Sequence, residues 1–270
     1  MSDPAAFARV RPFRGWQWLV ASHSLFARSR MYWVQLILAY WAITVLLSLV
    51  PYVGVAAATL LKPVFAVGFL AAAWSQERAE PPRLARLFDG FRSNILALLP
   101  LGAVYGGGIA AALALSATMD GGALMRLVLF GDQGESATVM SAPGIQSAML
   151  LAALAALPTL LALWFAPALI VFQDQPTLRA LGLSVRAALA NIGAILVYWL
   201  AVAFFWLVVP GIIVGIGALF GRNGVLIGVA LATPITLGIV AVIHVADYVI
   251  YRDLFHHGET ISPARNETLR

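Results

Sequence analysis

The sequence predicts an all-α fold, a polytopic membrane bundle of six transmembrane helices. One indication is composition, since 61% of the 270 residues are hydrophobic, 11% are charged and the mean hydropathy is +0.90. Soluble domains are only about 45–50% apolar. A second indication is the presence of six apolar runs, each long enough to cross a bilayer core of about 30 Å as a helix. The third is that nearly all arginines fall in alternate connections between these runs.

The six apolar runs define the predicted spans. Because lipid cannot satisfy free backbone N–H and C=O groups, each run is expected to be helical. Together they form a single membrane domain over residues 1–255, followed by a cytoplasmic tail of residues 256–270. The predicted spans cover about residues 32–50, 53–74, 95–119, 149–172, 192–220 and 225–251.

The arginines predict the orientation of the chain. Fourteen of them lie in the N-terminal segment, the connections after spans two and four, and the tail, whereas only Arg126 and Arg222 lie in the other connections. Since basic residues are retained on the cytoplasmic side, both termini are predicted to be cytoplasmic. The net charge of +5 reflects the same asymmetry, so no nucleic-acid partner is expected; the lipid bilayer is the expected partner.

Three segments, before spans one, three and five, predict short amphipathic helices. We expect them to lie in the membrane interface, with apolar residues in the bilayer and arginines toward anionic headgroups. Their apolar residues are Trp16, Leu19, Val20 and Phe26 in the first, Leu84, Leu87, Phe88 and Phe91 in the second, and Leu178, Leu181 and Val185 in the third.

Each returning span contains a proline at a similar distance from its outer end: Pro63, Pro158 and Pro234. A proline inside a helix removes a donor and bends the chain. The matched positions predict three parallel hairpins, each made of an interfacial helix, an outgoing span and a kinked returning span. The alternative is that membrane helices simply tolerate proline.

Small residues predict where helices approach closely. Three GxxxG pairs favour tight packing within the chain, with a dimer face as the alternative. These pairs are Gly102 with Gly106, Gly211 with Gly215, and Gly224 with Gly228.

Lys62 is the only lysine and lies near the middle of span two, about 13 Å from its start. A lysine at this depth costs roughly 2.5–3.5 kcal/mol. The prolines free the carbonyls of Thr59, Leu154 and Ala230, which predicts a structural role in which Lys62 holds the kinked returns together. The alternatives are a binding site for an anionic solute, made by Lys62 with Pro63, Pro158 and Pro234, and snorkelling of Lys62 toward the surface.

His244 and Asp247 lie one helical turn apart near the inner end of span six. An ionisable residue inside a membrane is a functional candidate by default, so the pair could form a proton relay. The alternative is a polar pair at the wet inner interface, beside Tyr248 and Tyr251 in an aromatic belt.

No motif predicts catalysis. The absence of cysteine excludes disulfides, thiolate metal sites and cysteine nucleophiles, and the sequence has neither HExxH nor GxSxG. The adjacent His256 and His257 lack the spacing of a defined metal site. We therefore expect no catalytic residue, no metal, no cofactor and no enzymatic activity.

Several short motifs, in order along residues 13–255, resemble a betaproteobacterial family of small polytopic membrane proteins named by a Burkholderia locus tag. They are Gly15-Trp16-Gln17-Trp18-Leu19, Pro63 with Gly68, Leu87-Phe88 with Gly90-Phe91, Asp120-Gly121-Gly122, Trp164-Phe165-Ala166-Pro167 and Tyr251-Arg252-Asp253-Leu254-Phe255. The resemblance implies a multi-pass protein of the bacterial inner membrane and carries over no catalytic residues. The family pattern does not require a lysine at position 62, which weakens the case for a shared function of Lys62.

Two functions follow as expectations. The first is a non-enzymatic scaffold or partner of an envelope complex, associated with another membrane protein or with copies of itself. The second is a small transporter or lipid-handling channel with a mid-membrane site near Lys62, because transporters place substrate sites at broken helices near mid-depth. A cavity beside the kinks favours the second and a packed centre favours the first.

Overall fold

The computed structural model describes residues 7–50, 53–130, 140–257 and 261, and within these ranges all regular secondary structure is helical. A 3-10 helix covers Leu84–Phe88. The α-helices are α1 (Arg14–Ala27), α2 (Arg30–Ser48), α3 (Val53–Glu77), α4 (Asp89–Arg92), α5 (Ile95–Asp120), α6 (Ala123–Phe130), α7 (Ile145–Trp164), α8 (Ala166–Gln173), α9 (Thr177–Ala190), α10 (Ile192–Ala218) and α11 (Gly221–Phe255).

Six helical segments in the described residues are long and apolar enough to cross a membrane, which confirms the predicted six-helix membrane bundle. They are α2, α3, α5, the α7–α8 segment, α10 and α11. The longest, α11, has 35 residues and is about 52 Å long. Because the bilayer core is only about 30 Å thick, α11 extends beyond it.

The fourth span is not the continuous helix that the hydropathy predicted. It breaks at Phe165, between α7 and α8. Pro167 has no N–H and would clash with a carbonyl in the preceding turn, so a new helix begins at Ala166. The Phe165 N–H, released by the break, donates to Ser184 Oγ of α9 at 3.0 Å. The break is therefore stabilised by a neighbouring helix.

Among the long helices, the most extensive contacts join α10 with α11, α5 with α7, and α3 with α5, whereas α2 contacts α3 less extensively. Glycines allow the close approaches. A Cβ at Gly102 would lie 2.3 Å from the Leu60 carbonyl oxygen, and one at Gly224 would lie 2.1 Å from the Gly217 carbonyl oxygen. No atom lies within 4 Å of a Cβ built at Gly211 or Gly215. Among the described residues, no other helix thus approaches the Gly211–Gly215 pair closely.

The main hydrophobic core lies toward one end of the bundle, called here the arginine-rich end. This end carries α1, the connections at residues 78–94 and 174–191, and the end of α11. The core includes Trp18, Trp33, Phe165 and Tyr251, all nearly inaccessible. Toward the opposite end, α7, α10 and α11 expose large apolar side chains such as Leu154, Phe204 and Leu231. Within the described residues, a smaller hydrophobic cluster of Leu113, Leu124, Ile145 and Ala148 lies toward that opposite end, where α5, α6 and α7 meet.

Tyr248 and Tyr251 do not form the predicted aromatic belt, since both are fully buried. Tyr248 donates a hydrogen bond to Glu77 of α3. Tyr251 stacks on Phe172 of α8, with 5.6 Å between ring centroids. The prediction failed because hydropathy does not distinguish an aromatic side chain at the lipid boundary from one that faces a neighbouring helix.

Helices occur at the three positions where amphipathic segments were predicted, although the second is only a 3-10 helix followed by the single turn of α4. In α1 the face buried against α10 and α11 contains Gly15, Trp18 and Ser22. The predicted apolar residues Trp16 and Val20 remain exposed. The interfacial position of these helices and the threefold repeat of the hairpins stay predictions.

Candidate functional site

Six polar or polar-tipped side chains from five helices lie near one another within the spans, and this group of residues is called here the polar cleft. They are Lys62 of α3, Tyr105 of α5, Trp164 of α7, Tyr198 of α10, and His244 and Asp247 of α11. Sequence analysis singled out three of the six, Lys62, His244 and Asp247.

Lys62 is held by an aromatic hydroxyl. Its ammonium donates a hydrogen bond of 2.7 Å to Tyr105 Oη and lies 4.1 Å from the centroid of the same ring. The predicted partners were the carbonyls of Thr59, Leu154 and Ala230, so the hydrogen bond found here differs from that hypothesis. An aromatic hydroxyl one helix away offers the ammonium a fixed acceptor.

The three prolines that were expected at matched positions in the returning spans differ in exposure to solvent. Pro63 is buried, whereas Pro158 and Pro234 are exposed. Proline also occurs inside two outgoing spans, at Pro100 of α5 and Pro210 of α10, which the hairpin hypothesis did not include. Proline kinks therefore occur in both helices of the α5–α7 pair and of the α10–α11 pair.

His244 and Asp247 lie close together on α11. His244 Nδ1 lies 3.8 Å from Asp247 Oδ2, and Trp164 Nε1 donates to Asp247 Oδ1 at 3.0 Å. The His244 ring stacks on Phe69 of α3, with centroids 4.1 Å apart. The imidazole is thus fixed between a carboxylate on its own helix and an aromatic ring on α3.

The two halves of the cleft are coupled electrostatically. The Lys62 ammonium acts on the His244 imidazole, although the two residues belong to different helices. Both His244 and Asp247 lie deep among the helices, yet their side chains keep 27% and 35% of their accessible surface. Protein therefore does not cover either side chain completely.

Tyr198 adds an unsatisfied group to the polar cleft. Its side chain is only 1% exposed, its hydroxyl has no hydrogen-bond partner among the described residues, and it lies within electrostatic range of Asp247. Buried polar groups nearly always have a partner. The Tyr198 hydroxyl is therefore an unpartnered polar group that the surrounding helices close off.

Tyr105, Trp164 and Tyr198 were missed by sequence analysis. Tyrosine and tryptophan usually mark membrane interfaces, so their hydroxyl and indole groups drew no attention within the spans. The useful signal is an aromatic residue with a polar tip well inside a predicted span, where that tip needs a partner.

Within the described residues, no group of three His, Asp or Glu side chains is placed to hold a metal ion.

The chain is similar to a probable inner membrane protein of Burkholderia thailandensis. The two are 33% identical over 258 residues, which cover 92% of this chain and 93% of the relative. No family model and no solved structure matches the chain. This similarity runs through nearly the whole of both proteins and confirms the resemblance carried by the short motifs. The chain therefore belongs to the family of polytopic inner membrane proteins that includes this Burkholderia protein.

Proposed function

We propose that the protein is a small transporter that binds an anionic solute in the polar cleft. The observation that carries the proposal is that Lys62 of α3 lies near His244 and Asp247 of α11 within the spans, with all three side chains at least partly accessible. Ionisable groups inside a membrane are costly and usually face a pathway for ions or substrates. The activity proposed is binding and movement, without chemical conversion.

The free donors in the cleft favour an acidic solute. A lysine ammonium has three N–H donors, and the hydrogen bond to Tyr105 uses one of them. The Tyr198 hydroxyl is a further donor without a partner. Asp247 already accepts from Trp164 and faces His244. A carboxylate or phosphate group is therefore the chemistry that would satisfy the free donors of Lys62.

The helix pairs on either side of the cleft offer a way to open and close it. The α5–α7 pair and the α10–α11 pair each contain proline kinks, and each pair packs tightly within itself. Transporters commonly move one helix bundle against another around a fixed site. Rocking of these two pairs about the packed arginine-rich end would change the side of the membrane to which the cleft opens.

The test compares Lys62→Met with Arg222→Met in purified protein. Each variant removes one positive charge, but Arg222 is exposed at the opposite end of the bundle. Thermal unfolding is measured with acetate, succinate, inorganic phosphate and glycerol 3-phosphate. At least one of these anions is expected to raise the unfolding midpoint of the wild type and of Arg222→Met, but not of Lys62→Met. The stabilising anion is then used for uptake into proteoliposomes.

Two results would contradict the proposal. One is that none of the four anions changes the unfolding midpoint of the wild type. The other is that the anion stabilises Lys62→Met as much as the wild type, since the cleft would then contribute no cation to binding. Transport itself is refuted if liposomes that contain the wild-type protein take up no more of the anion than empty liposomes do.

A second candidate is a component of a larger membrane assembly, favoured by the Gly211–Gly215 pair on α10. Such pairs let helices approach closely, and no atom lies within 4 Å of a Cβ at either position. Because the chain has no cysteine, Gly211→Cys reports self-association by disulfide crosslinking, with Gly107→Cys as control. Crosslinking at residue 211 alone supports assembly through this face, and equal crosslinking at both positions opposes it.

A further inference from the structure

A cavity, called here the apolar groove, lies between α1, the beginning of α2, α10 and α11 and has a volume of about 660 Å³. It contains none of the six residues of the polar cleft. Its walls are apolar, with Phe205 and Val209 of α10 on one side and Pro234 and Ile239 of α11 on the other. This volume falls in the range of about 300–1,000 Å³ that is typical of ligand sites.

Helix α1 closes one side of the groove. Trp16 stacks against Phe205, with 6.4 Å between ring centroids. Trp16 and Val20 line the groove but remain 39% and 48% exposed. Because the opposite face of α1 is already buried through Gly15 and Trp18, α1 has a second apolar face that is not covered by protein. Exposed apolar surface of this kind marks an interaction site.

The length of the groove matches one leaflet of a bilayer. From Pro234 to Ile243 the groove follows α11 for about 13 Å. Half of a hydrocarbon core of about 30 Å is about 15 Å. The groove therefore has room for an acyl chain that runs from the arginine-rich end toward the middle of the membrane.

The polar groups of the groove lie where a headgroup would be. Arg30 and His23 both line it, and Arg30 is the first residue of α2, at the arginine-rich end. A guanidinium binds phosphate through paired N–H donors, and the imidazole of His23 adds another polar contact. We propose that the groove binds one acyl chain of an anionic phospholipid from the surrounding bilayer, with its phosphate held by Arg30 and His23.

The proposal is tested by native mass spectrometry of delipidated protein titrated with dioleoylphosphatidylglycerol or dioleoylphosphatidylcholine. Wild type is expected to retain one phosphatidylglycerol in preference to phosphatidylcholine. Arg30→Gln should weaken phosphatidylglycerol binding by about fivefold, the effect of one arginine near the membrane surface. Arg28→Gln is the matched control, because Arg28 is exposed and does not line the groove.

A second variant tests the acyl chain separately from the headgroup. At Gly238, on the groove wall, a Cβ would lie 3.7 Å from the Phe26 ring, an ordinary contact. Gly238→Leu should therefore fold, fill part of the groove and reduce binding of both lipids while Arg30 stays intact. Three results would each overturn the proposal. The wild type could bind the two lipids equally, or Arg28→Gln and Arg30→Gln could weaken phosphatidylglycerol binding equally. The third is that Gly238→Leu binds both lipids as well as the wild type does. None of these variants alters the polar cleft, so failure here leaves the transport proposal untouched.

Discussion

The contact between the two ends of the described chain gives a prediction whose size follows from its geometry. Asp253 of α11 is 7% exposed and accepts from Arg14 Nε at 2.8 Å and from Trp18 Nε1 at 2.8 Å. Arg14 is 45% exposed, whereas Trp18 is 2% exposed. Replacement of Asp253 thus returns the guanidinium to water but leaves the indole N–H buried.

These two effects are separated by two substitutions. Asp253→Asn keeps an oxygen acceptor for Trp18 and removes the charge, which is expected to cost about 1 kcal/mol because solvent screens the half-exposed Arg14. Asp253→Ala also removes the acceptor, and a buried unsatisfied N–H costs about 1–3 kcal/mol more. The expected loss of unfolding free energy is therefore about 2–4 kcal/mol for Asp253→Ala.

The assay is unfolding by sodium dodecyl sulfate in mixed micelles, followed by circular dichroism. The same two substitutions are repeated in a Trp18→Phe background, which has no indole N–H. There the difference between Asp253→Ala and Asp253→Asn should fall to a few tenths of a kcal/mol. A difference that stays the same in both backgrounds would show that Trp18 does not carry the effect and would refute the reasoning.

The remaining predictions concern close packing and pH. Gly15→Ala should strongly destabilise the folded protein, because the new Cβ would lie 2.0 Å from the Ala194 carbonyl oxygen. Gly107→Ala is the control and should leave the unfolding midpoint unchanged, because no neighbouring atom of the described residues lies within 4 Å of its new Cβ. Similar unfolding midpoints for the two variants would contradict this prediction. Burial lowers the pKa of His256 below its usual 6.5, so the folded state binds fewer protons than the unfolded state and stability falls as pH decreases below about 6.5. His256→Gln should therefore show a smaller drop in unfolding midpoint between pH 7.5 and 5.5 than the wild type, and an equal drop would count against it.

The contact at Asp253 also joins two of the motifs on which the family resemblance was based. The opening motif supplies Gly15 and Trp18, and the closing motif supplies Asp253. In the structure, Trp18 binds Asp253, and the missing side chain at Gly15 lets α1 approach the Ala194 carbonyl of α10. Gly15, Trp18 and Asp253 therefore dock α1 on the last two spans, and this docking also forms one side of the apolar groove.

The polar cleft illustrates how far the sequence could lead. Lys62, His244 and Asp247 were predictable as candidates because a charged side chain within a span is rare and costly. Their partners were not predictable, since Tyr105 lies 43 residues from Lys62 and Trp164 lies 83 residues from Asp247. The carbonyl hypothesis for Lys62 assumed that three prolines share one layer, but their side chains have unlike environments.

The sequence alone determined the number of spans, their approximate bounds and the membrane class, because hydropathy and the lack of backbone partners in lipid act locally along the chain. Only the tertiary structure decided which helix faces meet, that α7 and α8 are separate helices, and that α1 has one face on protein and another on the groove. The physical reason is that lipid and protein interior are equally apolar, so a leucine toward lipid and a leucine toward a helix give the same signal. In a membrane, packing is selected by shape and by a few polar contacts, and those contacts join residues far apart in the chain.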